Sequence, residues 1–168
     1  MVNKTFLVVG ISGVGKSTLC HAINVKFSVV EHIVASRLIK GSKNFNEAQQ
    51  LLVNRINKLI KASKKRVFLI DGHLLIGENK VSISVLKKLK LDGIVYLLDS
   101  PDAIRTRRLK DETRERVIET AQDIEISMLK ELEYSKLVSK KLSIPLSTLN
   151  LSKPNVMEEF IGLIKVEK

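Results

Sequence analysis

The 168-residue chain is predicted to fold as an α/β protein built on a parallel β-sheet. Short apolar runs alternate with helical patterns from one end of the chain to the other, which is typical of a parallel sheet covered by helices. A glycine-rich turn joins the first apolar run to the first helical pattern, as in a strand–loop–helix unit. The length is that of one domain with a sizeable core, so we expect residues 1–168 to form a single domain.

Five apolar runs are predicted to be the strands of this sheet. In chain order they cover residues 5–9, 29–34, 66–71, 93–99 and 144–149. Short apolar runs bounded by turn signals are consistent with buried parallel strands. Each run is followed by a helical pattern, and such a crossover is what parallel neighbours require.

The helices are predicted from start signals and from the spacing of apolar residues. Asn44 followed by Glu47 resembles a capping box for a helix with one apolar face, made of Ala48, Leu52, Ile56 and Leu59. Ser100 is a capping residue with Pro101 at the first helical position. A long helix is predicted from about Arg116, because its apolar residues are spaced by four, three and four at 117, 121, 124 and 128. Further helices are predicted at 18–23, 81–89 and 155–166.

The composition restricts the class of protein. No apolar run approaches the roughly 20 residues that a membrane span requires, and the N-terminus leads straight into the first strand without a signal segment. A single cysteine, Cys20, excludes an internal disulfide. We therefore expect a cytoplasmic protein without a membrane partner. The sequence leaves the oligomeric state open.

The charge is strongly basic, with 29 Lys and Arg against 18 Asp and Glu and a net charge of +11. Such a balance suits phosphorylated ligands or nucleic acid. Aromatic residues make up only 4% of the chain and tryptophan is absent, so platforms for base stacking would be sparse. A lysine-rich solvated surface is favoured over a nucleic-acid interface.

The segment from Gly10 to Ser17 fits the phosphate-binding pattern G-x-x-x-x-G-K-[ST] at every fixed position. Its glycines let successive backbone N–H groups form a nest for an anion, and the following helix adds its N-terminal dipole. Lys16 is expected to reach the β- and γ-phosphates, and the Ser17 hydroxyl to coordinate Mg²⁺. The pattern predicts a nucleoside triphosphate site. Its predicted residues are Gly10, Ser12, Gly13, Val14, Gly15, Lys16, Ser17 and Thr18.

Asp71 stands at the end of the third predicted strand. Ligands of open α/β sheets bind at the carboxyl ends of the strands, so this carboxylate is expected to face Mg²⁺ or an acceptor group. The alternative is an Asp that only satisfies its own turn. His73 is a candidate for contact with a substrate and equally for an ordinary loop residue.

An arginine-rich segment follows the fourth predicted strand, at 105–116. Phosphoryl transfer needs positive charge around the transferred group, and arginines that close over it supply that charge. Arg108, Arg114 and Arg116 are the candidates for this role. The alternative is a surface helix of mixed charge, since acidic residues are interspersed.

These motifs together resemble those of P-loop kinases of the nucleotide kinase superfamily, and most of all those of archaeal-type adenylate kinases. The family's Asp-x-His is matched by Asp71-Gly72-His73, and its Arg-Arg-Leu followed by Asp-x-Thr-Arg-x-Arg is matched within 107–116. The resemblance implies a three-layer P-loop NTPase fold with a five-stranded parallel sheet of order 2-3-1-4-5. It also implies a helical substrate-binding segment at about 35–63 and a short lid at about 108–117.

The same resemblance implies an ATP-dependent phosphotransferase that uses Mg²⁺ and passes the γ-phosphoryl group to a nucleoside monophosphate or related small acceptor. Arg37 and Arg55 are candidates for holding the acceptor phosphate. Asp71 would act as a metal or positioning group with a phosphate acceptor, and as a general base with a hydroxyl acceptor.

Other functions stay open at this point. They are a nucleotide-gated regulatory or RNA-binding P-loop protein, and a kinase of nucleosides or nucleic-acid 5′ ends. A regulatory GTPase is disfavoured, because Asn79-Lys80 is not followed by the guanine-reading Asp. The stretch 147–154, after the last predicted strand, is the candidate for contacts to the base of ATP.

Overall fold

A computed structural model describes residues 3–39, 44–111 and 119–166. This part of the chain contains seven strands. They are β1 (Lys4–Val9), β2 (Val30–Val34), β3 (Val67–Asp71), β4 (Leu75–Ile76), β5 (Asn79–Lys80), β6 (Gly93–Leu98) and β7 (Leu146–Asn150). Five of them form one parallel sheet of order β2-β3-β1-β6-β7, and β4 and β5 form a separate antiparallel ribbon.

The five-stranded parallel sheet confirms the predicted fold class. Counted within this sheet alone, its strands follow the order 2-3-1-4-5. Counted along the whole chain the order differs from the predicted labels, because the β4–β5 ribbon intervenes between the third and fourth sheet strands. The ribbon was not predicted, since strands of two residues carry no readable period.

Six α-helices and two short 3-10 segments complete the described residues. The α-helices are α1 (Lys16–Lys26), α2 (Phe45–Ala62), α3 (Ile83–Leu86), α4 (Pro101–Lys110), α5 (Ala121–Leu142) and α6 (Val156–Ile164), and the 3-10 segments are Ala35–Leu38 and Lys87–Leu89. The predicted starts of α2 and α4 are confirmed. The Asn44 side chain accepts a hydrogen bond from the Glu47 amide at 2.9 Å, and that of Ser100 accepts one from the Ala103 amide at 3.2 Å.

Two predicted helices differ from the structure in their bounds. The helix predicted at 81–89 is divided into α3 and a 3-10 turn that ends at Lys90 in the left-handed region. The long helix α5 begins at Ala121 rather than near Arg116, because Thr120 and Asp123 form a reciprocal capping box there. Arg116 itself lies outside the described residues.

The buried face of α2 also differs from the predicted one. Its buried residues are Gln49, Val53 and Ile56, whereas Leu59 is 38% exposed. At the start of the helix the buried positions, 49 and 53, each lie one residue after the predicted positions, 48 and 52. The polar Gln49 does not fit an apolar pattern, so the pattern predicts Ala48 instead.

The sheet separates two apolar cores. One includes Ile23 of α1 and Phe160 of α6, and the other includes Ile56 of α2 and Tyr134 of α5. In the register of the sheet, Val8 of β1 is paired with Asp71 of β3. The turn after β1 and the end of β3 are therefore neighbours at the carboxyl edge of the sheet, where ligands of this fold class bind.

Candidate active site

The glycine-rich turn between β1 and α1 adopts the backbone conformation that an anion nest requires. Gly10, Gly13 and Gly15 have φ angles of 140°, 83° and 116°. A Cβ added at Gly10 would lie 2.6 Å from the Leu97 carbonyl oxygen of β6, so both conformation and close approach require glycine there. Gly15 is the N-cap of α1, without a side-chain cap. The positive end of the α1 dipole therefore lies at this turn.

Lys16 is the first residue of α1 and is only 6% exposed. Its Nζ donates hydrogen bonds to the carbonyl oxygens of Gly10 and Ile11, at 2.7 and 3.1 Å. Burial lowers the pKa of Lys16 to about 8, although the charges of Asp71 and Glu131 partly oppose the shift. The side chain is thus a buried cation donor held against the phosphate-binding turn.

Asp71 links the first turn of α1 to two strands of the sheet. Its Oδ2 accepts a hydrogen bond from Ser17 Oγ at 2.5 Å and lies 3.4 Å from His32 Nε2 of β2. Burial alone would raise the pKa of Asp71, but the hydrogen bonds from His32 and Ser17, together with the charge of Lys16, hold it below its ordinary value. Asp71 is therefore ionised at neutral pH.

Glu131 of α5 is a second buried carboxylate, and it is 2% exposed. Its two oxygens accept hydrogen bonds from the backbone amides of Leu74 and Leu75, at 2.9 and 3.1 Å. Burial raises the pKa of Glu131, while these hydrogen bonds and the charge of Lys16 oppose the shift. Glu131 thereby fixes the loop that carries His73 and leads into β4.

Two arginines of α4 donate hydrogen bonds to backbone carbonyl oxygens of the phosphate-binding turn. Arg107 donates to the Val14 carbonyl oxygen at 3.0 Å and forms an ion pair with the buried Asp99. Arg108 Nε donates to the Ser12 carbonyl oxygen at 2.8 Å, and its guanidinium also pairs with Glu119. The turn is therefore braced by side chains through its carbonyl groups.

A cavity of about 1020 Å³ connects this turn to the buried face of α2. At the turn it is lined by residues 11–13 and 15–18, with Asp71, Arg107 and Arg108 beside them. Farther away its wall is mostly apolar. That part is lined by Phe45, Ala48, Leu52, Val53, Ile56, Val81, Val85 and Leu86. One end can thus receive phosphate groups and the other an apolar body.

The structure brings together four of the predicted site residues: Lys16, Ser17, Asp71 and Arg108. Ser12, Gly13, Gly15 and Thr18 also line the cavity, whereas Gly10 and Val14 do not. His73 is half-buried and lines the cavity. Most of the predicted lid, including Arg114 and Arg116, lies outside the described residues.

The two predicted acceptor arginines are not in the cavity lining. Arg37 is exposed on the 3-10 segment after β2. Arg55 donates to the Leu38 carbonyl oxygen at 2.5 Å and so ties α2 to that segment. Their contact with an acceptor phosphate stays a prediction. The stretch 147–154 approaches the turn through Leu151, whose Cδ1 would lie 2.9 Å from a Cβ at Gly15.

Four residues of the site are not predicted from the sequence: His32, Gln49, Arg107 and Glu131. Each lies on a different element from the phosphate-binding turn and belongs to no motif of fixed spacing around it. Of the four, only Arg107 lies in a motif that could have indicated its role, because it is the first residue of the Arg-Arg-Leu motif.

The described part of the chain holds no group of three or more His, Cys, Asp and Glu arranged for a metal ion. It also contains no helix long and apolar enough to cross a membrane.

Comparison with known proteins agrees with this geometry. Residues 9–125 match the protein family described as AAA domain. The chain is 30% identical to an adenylate kinase of Methanocaldococcus jannaschii, across 74% of this chain and 77% of that protein. An adenylate kinase of Methanococcus aeolicus is 28% identical over the same shares. Among solved structures, a shikimate kinase from Bacteroides thetaiotaomicron superposes with a TM-score of 0.59 at 16% identity, covering 97% of this chain and 99% of that one.

Proposed function

The chain belongs to the AAA domain family and is a nucleotide kinase-like P-loop phosphotransferase, similar to the archaeal adenylate kinases. We propose that it transfers the γ-phosphoryl group of ATP to a nucleoside monophosphate. The observation that carries the proposal is the junction of Ser17 and Asp71. Their side-chain oxygens lie 2.5 Å apart beside the buried Lys16, at one end of a cavity large enough for two small ligands.

The residues at this junction fit a magnesium ion. Ser17 and Asp71 offer the oxygen ligands that Mg²⁺ prefers, and Mg²⁺ is commonly held by only one or two protein groups beside phosphates. A magnesium ion held there would supply positive charge against the phosphates of ATP. Ser17 and Asp71 would exchange their mutual hydrogen bond for this shared position.

Lys16 and the phosphate-binding turn would hold the donor. The turn offers backbone N–H groups with the N-terminus of α1 behind them. Lys16 has its ammonium on the carbonyl oxygens of Gly10 and Ile11 and would turn to the β- and γ-phosphates. Arg107 and Arg108 keep the turn in shape while the phosphates enter.

The state of Asp71 favours a phosphate acceptor over a hydroxyl acceptor. A hydroxyl must lose its proton, and a general base works best with a pKa near the operating pH. Asp71 is fixed by Ser17 Oγ and His32 Nε2, and both contacts are on Oδ2, which suits a metal-binding or positioning group. A monophosphate acceptor needs no strong base.

The test is γ-phosphoryl transfer from Mg·ATP to a panel of acceptors, with Lys16→Ala as the inactive control. The panel contains the nucleoside monophosphates, the nucleosides, shikimate, gluconate and a 5′-hydroxyl oligonucleotide. We expect transfer to a monophosphate. Transfer only to a hydroxyl acceptor would replace the proposed acceptor and make Asp71 the base. Tight ATP binding without transfer to any acceptor would favour the regulatory P-loop function.

A further inference from the structure

The imidazole of His32 contacts the carboxylate of Asp71 from the neighbouring strand β2. The side chain of His32 is 9% exposed and that of Asp71 is 5% exposed, and His32 Nε2 lies 3.4 Å from Asp71 Oδ2. Asp71 lines the cavity, whereas His32 does not. An effect of this histidine on a ligand in the cavity would therefore pass through the carboxylate that it contacts.

The chemistry of the two groups fixes the direction of this hydrogen bond. Asp71 is ionised at neutral pH, and an ionised carboxylate can only accept hydrogen bonds. The proton between the two side chains therefore belongs to His32 Nε2, which is the donor. A neutral imidazole with its proton on Nε2 already supplies this donor, so the contact requires no charge on the ring.

The backbone of β2 gives His32 a fixed position. Its amide donates to Asn24 Oδ1 of α1 at 3.1 Å. β2 is paired with β3 along its length, and Val34 is the partner of Asp71 in that register. A side chain presented from a paired strand is positioned more precisely than one on a loop.

His32 has a distinct task once a metal ion enters. Among the described residues, the side-chain hydrogen bonds to Asp71 come from Ser17 and His32, and both are on Oδ2. Ser17 is itself a proposed ligand of Mg²⁺ and would exchange its contact with Asp71 for the ion. His32 would then be the partner that still orients the carboxylate, while Oδ1 keeps its lone pairs for the metal.

We propose that His32 is a positioning residue of the kinase, whose Nε2–H holds the Asp71 carboxylate in the orientation that binds Mg²⁺ beside the phosphates of ATP. This inference rests on the magnesium site of the proposed function. Carboxylates that bind metal ions are commonly hydrogen-bonded by a further protein group, and loss of that group lowers metal affinity or activity by roughly 10- to 100-fold.

The experiment measures how much a divalent metal ion strengthens nucleotide binding. The probe is Mn²⁺ with the β,γ-imido analogue of ATP, and titration calorimetry gives the Kd of the analogue without and with the ion. The ratio of these two Kd values is called the metal gain. Steady-state kinetics with Mg·ATP and a monophosphate acceptor provide kcat and KM as a second readout.

Three variants are compared with the wild type. His32→Phe keeps a ring of similar size and removes the donor. His32→Gln keeps an N–H donor in the place of Nε2. His21→Phe is the matched control, because His21 is an exposed histidine of α1 that does not line the cavity.

We expect the metal gain to fall about tenfold in His32→Phe, while the Kd of the analogue without Mn²⁺ stays within about twofold of the wild type. His32→Gln should restore most of the metal gain, and His21→Phe should match the wild type. In the kinetics, kcat should fall about tenfold in His32→Phe, with KM for the acceptor within about twofold.

The failures are distinguishable. If the wild type phosphorylates a monophosphate and His32→Phe keeps the full metal gain, this inference is overturned and the proposed function stands. Equal losses of nucleotide affinity with and without Mn²⁺ would show that His32 is only structural and would overturn the inference. So would a His32→Gln protein as impaired as His32→Phe.

Two further outcomes concern the proposed function. If the wild type phosphorylates only a hydroxyl acceptor, while the metal gain is lost in His32→Phe and restored in His32→Gln, the proposed acceptor is overturned and this inference is supported. If Mn²⁺ adds nothing to the affinity of the wild type and no monophosphate is phosphorylated, both the inference and the proposed function are overturned.

Discussion

Lys16 lies in the proposed phosphate site, yet its environment disfavours its positive charge. Its ammonium is buried, and the hydrogen bonds described for it go to the carbonyl oxygens of its own turn. Two carboxylates, Asp71 and Glu131, lie near enough to oppose the pKa shift without cancelling it. The ligand-free protein therefore carries an electrostatic cost at the residue that the phosphates would later stabilise.

We predict that Lys16→Met abolishes phosphoryl transfer yet raises the free energy of unfolding at pH 7, by on the order of 1–3 kcal/mol. Methionine keeps the length of the side chain and removes the buried charge. Equilibrium denaturation of both proteins, followed by circular dichroism, measures the difference. A variant less stable than the wild type at pH 7 would contradict the electrostatic account.

The pH dependence of that difference has a defined sign. Burial lowers the pKa of Lys16 from 10.5 to about 8. Below pH 8 the lysine is protonated in both the folded and unfolded states. Between about pH 8 and 10.5 the folded state binds fewer protons than the unfolded state, so the wild type gains stability relative to Lys16→Met. The advantage of the variant should therefore shrink across this window.

Asp71→Asn should lower kcat by roughly 10²-fold or more and change stability little. Asparagine keeps an oxygen for the Ser17 hydroxyl but removes the negative charge that the metal requires. Asp92→Asn is the matched control, because Asp92 accepts from the Thr5 amide at the opposite edge of the sheet. Unchanged turnover in Asp71→Asn would rule out a metal role for this carboxylate.

At the scale of elements, α4 acts as a brace for the phosphate-binding turn. Arg108 supports the Ser12 carbonyl oxygen, and the Gly13 backbone packs so closely on this arginine that an added Cβ would lie 2.9 Å from Arg108 Cγ. Arg105 lies one turn earlier on the same helix and is exposed.

We predict that Arg108→Ala weakens ATP binding about tenfold and lowers kcat about 10²-fold, since it removes the brace and a positive charge beside the phosphates. Arg105→Ala should behave as the wild type. Titration calorimetry with ATP and steady-state kinetics measure the two effects. Equal behaviour of the two variants would show that α4 contributes only surface charge.

The helix that carries Gln49 depends on its N-cap. Asn44→Ala should lower the free energy of unfolding by about 1 kcal/mol, because it leaves the Glu47 amide without the side-chain oxygen that caps α2. Asn44→Asp keeps that oxygen and should retain most of the stability. Urea denaturation of the three proteins checks this prediction. Equal destabilisation in both variants would show that the cap contributes nothing.

The elements were readable from the sequence where a local signal marked them. Asn44 and Ser100 cap helices that begin at the next residue, and the glycines shape the turn in which they lie. The structure confirms the predicted starts of these two helices. The apolar spacing predicts a start of α5 near residue 116, because such spacing can continue beyond the end of a helix. The observed start at Ala121 is set by the Thr120 capping box. The strands β4 and β5 are two residues long and so have no readable period, and the Leu75 amide of β4 is held by Glu131, far along the chain.

At the scale of the whole molecule, the net charge of +11 calls for a test against nucleic acid. We expect a 5′-hydroxyl oligonucleotide to bind weakly, to lose its binding as salt rises from about 50 to 200 mM, and to receive no phosphoryl group. Lysines on solvated faces attract phosphates without selecting them, and aromatic platforms are sparse. Fluorescence anisotropy across a salt series measures the binding. Tight binding that persists at high salt would establish a nucleic-acid interface.

The site was predictable only in the part that one motif encodes. Lys16, Ser17 and Asp71 could be placed because the turn and the strand end meet at the edge of a parallel sheet. His32 reaches Asp71 from a neighbouring strand, and Gln49 reaches the cavity from α2. Such meetings arise from the packing of distant elements, and a single sequence contains no period or spacing that announces them.

The proposed site lies at the carboxyl edge of the sheet, so the described loops at the amino edge are available for labelling the protein. The connections at 63–66, 90–92 and 143–145 enter β3, β6 and β7 from that edge, and none of their residues lines the cavity. Lys64 is exposed there. A fluorophore or surface linker attached at this position would leave the site open to both substrates. A one-residue insertion within β3 would instead turn Asp71 to the other face of the sheet.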